Sequence, residues 1–431
     1  MARTKQREET LRWTPEEGAF GGRKSRTSFN YRAFVPDEIR ELDPTLPADV
    51  AAVAIEAEVA VRTLNSDAPQ LGALDALSRQ LLRAEAVASS RIEGLRMSHR
   101  RVARAGFAPE LADEGARTVL GNIRAMEAAI ELGAKRTPLR PTDLLALHRI
   151  LFADTETAAL GGRLRVGPGW LGGRDFAPVG ATYIPPRFER IPKLMEDMCA
   201  FAGRDDLPAI AQAAIVHAQF ETIHPFPDGN GRIGRCLIHI ILRRRGVAPN
   251  FVPPISLILA TDQAAYVRGL VAFRDYTPAA IASWIGTFAA ATRTSATEAG
   301  RFAGEIRGLQ ADWRSRSKVQ RAGSLKERII EDLPARPIVD AAGVAERMQV
   351  SGTAARNAID ELRTAGVLSP VGNQLRYRIY EALELFDSID RFERDLATPT
   401  GRAGPARPAP APSIRVPPRT ILRRGRAAAR R

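Results

Sequence analysis

The hydrophobic positions of this chain recur every three or four residues over most of its length. The pattern is clear between residues 49 and 97, for example at Leu77, Leu81 and Leu82. Such spacing places apolar side chains on one face of a helix. Similar segments predict further helices at 115–133, 141–152, 191–201, 208–223, 233–245, 258–300 and 301–318. We therefore predict a mainly α-helical protein.

Two regions depart from this pattern. Residues 161–186 are rich in glycine, and short runs on either side of Gly180 predict a small β-hairpin with arms Asp175–Val179 and Ala181–Ile184. Near the C-terminus, helix, tight turn, helix and hairpin follow one another, which is typical of a winged helix-turn-helix. The helices there are predicted at Val339–Met348 and Ser351–Ala365, and the strands at Val367–Leu368 and Leu375–Tyr380.

These patterns divide the chain into six parts. They are a mostly disordered segment at 1–40, an N-terminal helical region at 41–135, a helical core at 136–300, a helical connector at 301–324, the winged-helix domain at 325–395 and a disordered Pro/Ala/Arg tail at 396–431.

The net charge of +14 lies mostly in the tails. Residues 401–431 contain nine Arg, no Lys and no acidic residue. Such a segment attracts nucleic acid or anionic surfaces by charge alone, but a solubilising tail has the same composition, and both interpretations stay open. No apolar run is long enough for a membrane helix, and the charged N-terminus lacks a signal-peptide pattern. We therefore expect a cytoplasmic protein without a membrane segment.

The segment 224–235 carries the strongest chemical signal. It reads His-Pro-Phe-Pro-Asp-Gly-Asn-Gly-Arg-Ile-Gly-Arg and joins two predicted helices, so its glycines would bring backbone N–H groups close to an anion. His224 is suited to accept a proton near neutral pH, and Asp228 is an oxygen ligand suited to Mg²⁺. Arg232 and Arg235 share a helix face and could grip phosphates. The alternative is a plain turn with a capping aspartate.

This segment resembles the signature of the Fic family, His-x-Phe-x-Asp/Glu-Gly-Asn-Gly-Arg-x-x-Arg, at every defined position. Proteins of this family mostly transfer AMP from ATP to a hydroxyl side chain of a target protein. The resemblance implies a Fic-type helical core in which His224 is the general base and Asp228 holds Mg²⁺. It also implies that the nucleotide is bound by Asp228, Gly229, Asn230, Gly231, Arg232, Gly234 and Arg235.

A second segment, Ala86–Gly94, resembles the family's inhibitory motif, Ser/Thr-x-x-x-Glu-Gly/Asn. Ser89 and Glu93 lie on one face of a helix, and Gly94 then ends or kinks it. Alone this would be an ordinary helix end. Beside a Fic loop, the resemblance implies that Glu93 pairs with Arg235 and competes with the γ-phosphate of ATP. Some relatives use this glutamate to orient a water for removal of AMP, which leaves a reverse activity open.

The predicted hairpin lies where the family has its flap, which would hold a target's backbone by strand addition. An ordinary surface hairpin is the alternative. Tyr266 is our candidate for the adenine side, although Arg274 stands where some relatives have an Asn. The flap residues are Ala181, Thr182, Tyr183 and Ile184.

We therefore expect an autoinhibited protein adenylyltransferase with ATP as co-substrate, Mg²⁺ as cofactor and a partner protein bearing a Ser, Thr or Tyr hydroxyl. The alternative from another class is a DNA-binding regulator in which the Fic core senses nucleotide. DNA contact would then run through residues 325–395 or the basic tail.

Overall fold

The computed structural model describes residues 7–15, 26–66, 74–173, 176–372, 378–397 and 414–415. Most of this part of the chain is helical, which confirms the predicted class. The helices are α1 Ala48–Ser66, α2 Leu74–Ile92, α3 His99–Phe107, α4 Glu114–Ala134, α5 Pro141–Phe152, α6 Ile191–Ala202, α7 Ala209–Ile223, α8 Asn230–Arg244, α9 Ile255–Thr261, α10 Gln263–Phe273, α11 Pro278–Arg316, α12 Leu325–Asp332, α13 Ala341–Met348, α14 Gly352–Thr364 and α15 Leu383–Ala397. None of them is both long and apolar enough to cross a membrane.

Short strands form three small sheets in the described part of the chain. They are β1 Glu8–Trp13, β2 Phe29–Phe34, β3 Trp170–Leu171, β4 Ile338–Asp340, β5 Ser369–Pro370, β6 Ile379–Glu381 and β7 Ile414–Arg415. All pairs are antiparallel: β1 with β2, β3 with β7, and β6 with both β4 and β5. Sheets of this size cannot support a core of their own, so the helices carry the packing.

The expectation of disorder in residues 1–40 was wrong for the strands β1 and β2. Trp13 pairs with Phe29 at one end of a regular ladder. Its indole packs edge-on against Trp170, with ring centroids 5.8 Å apart, so the hairpin is tied to a distant part of the chain. Both strands alternate polar and apolar residues, but the Gly/Arg-rich composition around them hides this signal.

Helices α7 and α8 form the centre of the main core. Every residue of α7 except Glu221 is buried, as expected of a helix that is apolar on nearly all sides. Helix α4 crosses α8 closely at Gly133, where a Cβ would lie 2.7 Å from the carbonyl oxygen of Ile240. The loop between α7 and α8 is therefore held by two rigid elements.

The small hairpin is present, but its predicted first arm was wrong. The backbone N–H of Leu171 donates to the Tyr183 carbonyl oxygen at 2.8 Å, and the Leu171 carbonyl accepts from Thr182 at 2.8 Å. The partner of Ala181–Ile184 is therefore β3 and not Asp175–Val179, of which residue 175 lies outside the described part. Burial of Trp170 fixes β3 in this place.

The connector predicted at 301–324 is largely the end of one long helix. Helix α11 continues from the main core, where Phe288 lies, into a second apolar cluster that contains Phe302 and Trp313. The C-terminal elements share this second cluster. There, α13 and α14 match the predicted helices, whereas the strands lie at Ser369–Pro370 and Ile379–Glu381 because Val367 and Leu368 are buried in the cluster. Residues 375–377 of the second predicted strand lie outside the described part.

Candidate active site

His224 has a backbone conformation that few non-glycine residues adopt. It ends α7 with φ at 50° and ψ at 61°, in the left-handed region, which costs roughly 1–2 kcal/mol. Arg165 stabilises this turn. Its Nε donates to the His224 carbonyl oxygen and its backbone N–H donates to the Pro225 carbonyl oxygen, both at 2.9 Å. A second segment of the chain therefore fixes the imidazole.

The His224 imidazole is held in its neutral form. Burial lowers its pKa to about 3, and the charges of Arg165 and Arg274 act in the same direction, against a hydrogen bond to Glu221. Its Nδ1 lies 3.2 Å from the Glu221 carbonyl oxygen. Because a carbonyl oxygen can only accept, Nδ1 carries the proton and Nε2 keeps a free lone pair. At neutral pH this imidazole is therefore unprotonated at Nε2, as a general base must be before it acts.

Asn230 closes the turn of the loop. Its Oδ1 accepts from the Phe226 N–H and its Nδ2 donates to the Phe226 carbonyl oxygen, both at 2.9 Å. Gly229, with φ at 76°, is the left-handed residue of the turn, and a Cβ there would lie 2.8 Å from the Leu151 side chain. The Asn230 side chain is committed to the loop, so a ligand would meet the backbone rather than this amide.

Glu93 lies against the start of α8. A Cβ on Gly231 would lie only 1.9 Å from Glu93 Oε1, so the carboxylate rests on the glycine backbone in the first helical turn. A helix N-terminus carries partial positive charge and attracts carboxylates and phosphates alike. Glu93 therefore occupies the position that the helix offers to an anion.

Arg235 joins this carboxylate to α2. Its Nη2 lies 2.8 Å from Glu93 Oε1 and donates to the Ser89 carbonyl oxygen at 2.8 Å, while its Nε donates to Ser89 Oγ at 2.7 Å. Burial alone would lower the pKa of Arg235, but Glu93, Tyr266 and Glu221 outweigh burial and raise it. Gly94, with φ at 88°, turns the chain directly after this contact.

A small cavity connects these groups. Its volume is about 100 Å³, below the roughly 300–1,000 Å³ of most ligand pockets, as expected where Glu93 fills part of the space. Tyr266 lies in its apolar wall, with its hydroxyl 2.8 Å from His217 Nε2. The lining includes Ile92, Glu93, Leu171, Glu221, His224, Asp228, Gly229, Asn230, Gly231, Arg235, Tyr266, Val267, Leu270, Val271 and Arg274. Two larger hollows, near Glu305 and near Pro138, contain no residue of the loop.

Two predicted nucleotide-binding residues of the 224–235 segment, Arg232 and Gly234, do not line this cavity. Gly234 faces α7, where a Cβ would lie 2.8 Å from Glu221 Oε1, so it allows close packing. The Arg232 guanidinium lies 3.4 Å from Asp228 Oδ2 and over the Phe152 ring at 5.3 Å. Its Nε and Nη1 are buried and have no hydrogen-bond partner within the part of the chain that the structure describes.

Residues 181–184, the predicted flap, pack over the α7 end of the site. The Tyr183 hydroxyl donates to the Thr222 carbonyl oxygen at 2.6 Å, and the Arg274 guanidinium stacks on the Tyr183 ring at 3.4 Å. The Phe34 N–H donates to the Ile184 carbonyl oxygen at 2.9 Å, so the N-terminal hairpin supports the flap from outside.

Asp228 is an incomplete metal ligand by itself. Its side chain is 54% exposed, and its Oδ1 accepts from the Gly229 N–H at 2.6 Å. Over the described ranges there is no group of three or more His, Cys, Asp or Glu side chains that could hold a metal ion. One exposed carboxylate does suit Mg²⁺, which usually keeps waters and takes phosphate oxygens as further ligands.

Both halves of this site match known sequence profiles. Residues 138–242, which include the loop, match the Fic/DOC family, and residues 51–131, which include Ser89 and Glu93, match the Fic/DOC family N-terminal profile. The chain therefore contains a Fic/DOC domain at 138–242 and a Fic/DOC N-terminal region at 51–131. The resemblance seen at 224–235 is thereby confirmed.

Curated proteins similar to the Fic region are named adenylyltransferases. The match to protein adenylyltransferase fic-1 of Caenorhabditis elegans is 31% identical over 111 residues, 26% of this chain and 20% of the relative. A probable protein adenylyltransferase of Aquifex aeolicus is 36% identical over 74 residues, 17% of this chain and 23% of the relative. The chain thus spans less than a quarter of the length of these two relatives. A Fic family protein from Desulfovibrio desulfuricans superposes with a TM-score of 0.46 at 20% identity, covering 78% of this chain and 97% of that structure.

Two residues of the Fic site were missed in the sequence. Glu221 lies in the cavity with Oε2 3.8 Å from His224 Nδ1, and burial, with Glu93, raises its pKa to about 7. Its position one helical turn before His224 was the available signal. His148 Nε2 lies 3.0 Å from the Asp228 carbonyl oxygen. It comes from α5, far away in sequence, so only tertiary structure reveals it.

Proposed function

We propose that this Fic protein is an autoinhibited protein adenylyltransferase that transfers AMP from ATP to a hydroxyl side chain of a target protein. One observation carries the proposal: a neutral His224 imidazole and the N-terminus of α8 face the same cavity. The first provides a base and the second an anion site, which are the two parts that such a transfer needs. The names of the similar curated proteins support the same reaction class.

In the proposed reaction, the phosphates of ATP bind at the start of α8. The helix dipole and the backbone near Gly231 stabilise their charge, and Arg235 adds a guanidinium. The target hydroxyl oxygen attacks the α-phosphorus while His224 Nε2 accepts its proton. The new O–P bond forms as the bond to pyrophosphate breaks. Such transfers depend mainly on positioning and charge stabilisation.

Asp228 would hold Mg²⁺ together with phosphate oxygens of the nucleotide. When bound, the ion would neutralise charge on the phosphates. We assign Arg232 to the outer phosphates on the same side of the loop, because its Nε and Nη1 lack partners among the described residues and its Nη2 already contacts Asp228. On the opposite wall, Tyr266 and Leu270 offer an apolar surface to the adenine.

Glu93 would inhibit by taking the place of a phosphate. It contacts both Gly231 and Arg235, which are the groups that an outer phosphate would use. ATP can bind only weakly until this carboxylate moves away. The same carboxylate could orient a water for the reverse reaction, removal of AMP.

The flap would hold the target by strand addition. Its β3 edge pairs antiparallel with Ile414–Arg415 from the C-terminal tail, so this edge accepts an extended segment. Main-chain pairing of this kind recognises backbone shape and leaves the choice of side chains open. The hydroxyl next to the paired segment would then face His224.

Labelled ATP tests the proposed reaction. The full chain, as wild type, Glu93→Gly and His224→Ala, is incubated with cell lysate and ATP labelled at either the α- or the γ-phosphate. We expect protein labelling from the α-phosphate only, increased in Glu93→Gly and absent in His224→Ala. Labelling from the γ-phosphate would instead show phosphoryl transfer, and equal labelling in all three proteins would refute the proposal. Thermal melting controls for folding.

We also propose that residues 325–395 form a winged helix-turn-helix unit. The supporting observations are the packing of α13 on α14 and the β4–β6–β5 sheet.

As an alternative function, such a unit could bind DNA through α14, where Arg356 and Arg363 are exposed. Asp360 lies 3.4 Å from Arg363 Nε and offsets its charge. A gel shift at low and high salt, with Arg356→Ala and with residues 396–431 removed, separates α14 from the basic tail.

A further inference from the structure

Two side chains on either side of Glu93 contact one carboxylate of the C-terminal unit. Arg91 Nη2 lies 2.5 Å from Glu393 Oε2, and His99 Nε2 lies 2.7 Å from Glu393 Oε1. Arg91 is in the last turn of α2 and His99 is the first residue of α3. Glu393 therefore joins the two ends of the turn that carries Glu93.

Glu393 is itself firmly placed. The neighbouring Phe392 stacks on Phe302 of α11 with ring centroids 4.6 Å apart. The Glu393 side chain is only 11% exposed. Burial would raise its pKa, but the hydrogen bond and charge of His99 and the charge of Arg91 outweigh burial and lower the pKa to about 2. The carboxylate is thus ionised and fully engaged in these two contacts at neutral pH.

The contact belongs to a wider junction between α2, α3 and the C-terminal unit. Leu81 and Ala88 of α2 belong to the same apolar cluster as Ile389 of α15. Arg100 and Arg104 of α3 both pair with Glu381, which is buried in β6. Both α2 and α3 therefore contact residues of the C-terminal unit.

We propose that Glu393 is a positioning residue for Glu93, so that the C-terminal unit holds the inhibitory carboxylate in the Fic site. This inference rests on the proposed inhibition by Glu93. The segment 93–98 between α2 and α3 contains Gly94 in the left-handed region, and the Gly94 and Leu95 N–H groups donate to the Arg91 and Ser90 carbonyl oxygens in the last turn of α2. The position of Glu93 therefore depends on where the end of α2 is held. Movement of α15 would release Arg91 and His99 together and leave the Glu93 carboxylate held only by its contacts with Arg235 and Gly231.

The test measures AMP incorporation into the full chain from α-labelled ATP. Glu393→Gln should raise incorporation by about five-fold or more over wild type, a typical coupling between sites. The double variant Glu93→Gly/Glu393→Gln should be no more active than Glu93→Gly, because both changes remove the same restraint. The matched control is Glu384→Gln, on the same helix, which removes a carboxylate that pairs with Arg316 and not with α2. Arg91→Gln should act like Glu393→Gln and replaces it if that variant does not fold.

The outcomes separate the two proposals. Wild-type activity in both Glu393→Gln and Arg91→Gln, with increased activity in Glu93→Gly, would overturn the role of Glu393 and leave the proposed function intact. Additive effects in the double variant would also overturn it, because Glu393 would then act elsewhere. No activation in Glu93→Gly would overturn inhibition by Glu93 and this inference with it.

Discussion

The 224–235 loop and the end of α2 meet at Arg235, but they are held in different ways. In the loop, Asn230 bonds to Phe226 and Gly229 bonds to Asp228, and Arg165 and His148 of the same Fic domain contact the carbonyl oxygens of His224 and Asp228. The end of α2 contacts Arg235 of the Fic domain on one side and Glu393 of the C-terminal unit on the other. A loop held within one domain keeps its geometry when other parts of the chain move. The end of α2 can therefore be released without disturbing the loop. The proposed reaction and its proposed inhibition depend on different parts of the molecule.

The largest effect is expected when hydrogen bonds inside the 224–235 loop are removed. Asn230→Ala removes both hydrogen bonds to Phe226 and should lower kcat/KM for AMP transfer by about 10²-fold, because small displacements of reacting groups are costly. The assay uses the Glu93→Gly background, in which the site is not inhibited. Asn357→Ala, on the exposed face of α14, is the control. A change of less than about two-fold would argue that the loop is not held by Asn230.

A pH series tests whether the imidazoles in and around the loop are buried in their neutral form. The pKa values of His148, His217 and His224 are lowered by burial to about 4, 3 and 3, below the usual 6.5. Below about pH 6.5 the unfolded chain therefore binds more protons than the folded chain. As the pH decreases, the free energy of unfolding should fall by about 1.4 kcal/mol per pH unit for each imidazole. The pKa of Glu221 is raised to about 7, so this carboxyl group binds its proton more tightly in the folded chain. It offsets the destabilisation that one of the three imidazoles causes.

Thermal melting at about pH 7 and about pH 5 measures this effect. We expect a lower midpoint at the lower pH, and a smaller difference in His148→Gln. The ion pair of Glu393 with Arg91 should contribute little, because both the lowered pKa of Glu393, about 2, and its ordinary value of 4.5 lie below this range. Equal midpoints at both pH values would contradict the buried neutral state of the imidazoles.

The smallest effect is expected at the end of α2, where Ser89 contacts Arg235. Ser89→Ala removes the hydroxyl that accepts from Arg235 Nε, while the Ser89 carbonyl and Glu93 still bind the guanidinium. Loss of one hydrogen bond to a charged group weakens the inhibited state by roughly 1.5 kcal/mol, so activity should rise about ten-fold. An increase as large as that of Glu93→Gly would show that the hydroxyl, and not the carboxylate, dominates the restraint.

The same contrast explains what the sequence could predict. The loop and its flanking helices were predictable because Pro225, Gly229 and the buried pattern of α7 act over a few residues. The pairing of Glu93 with Arg235 was predicted only through the family resemblance. The role of Asn230 within the loop, by contrast, needed the structure, since an amide can bond a ligand or its own backbone equally well.

Contacts between distant segments were not predictable in this way. Neither the Glu393 junction nor the position of His148 has a local signal, since each depends on how helices pack. The first arm of the flap was misplaced because the burial of Trp170 against Trp13, and not local alternation, fixes β3. Composition also misled, since it suggested disorder where β1 and β2 form a hairpin.

The central claim is that Glu93 and a nucleotide phosphate compete for Gly231 and Arg235. Calorimetric titration of the full chain with ATP and Mg²⁺, and separately with adenosine, tests it most directly in wild type and Glu93→Gln. We predict that Glu93→Gln binds ATP more tightly by about 5- to 150-fold, the usual range of coupling between sites, whereas adenosine affinity is unchanged because adenosine has no phosphate. Equal ATP affinity in the two proteins would contradict the account.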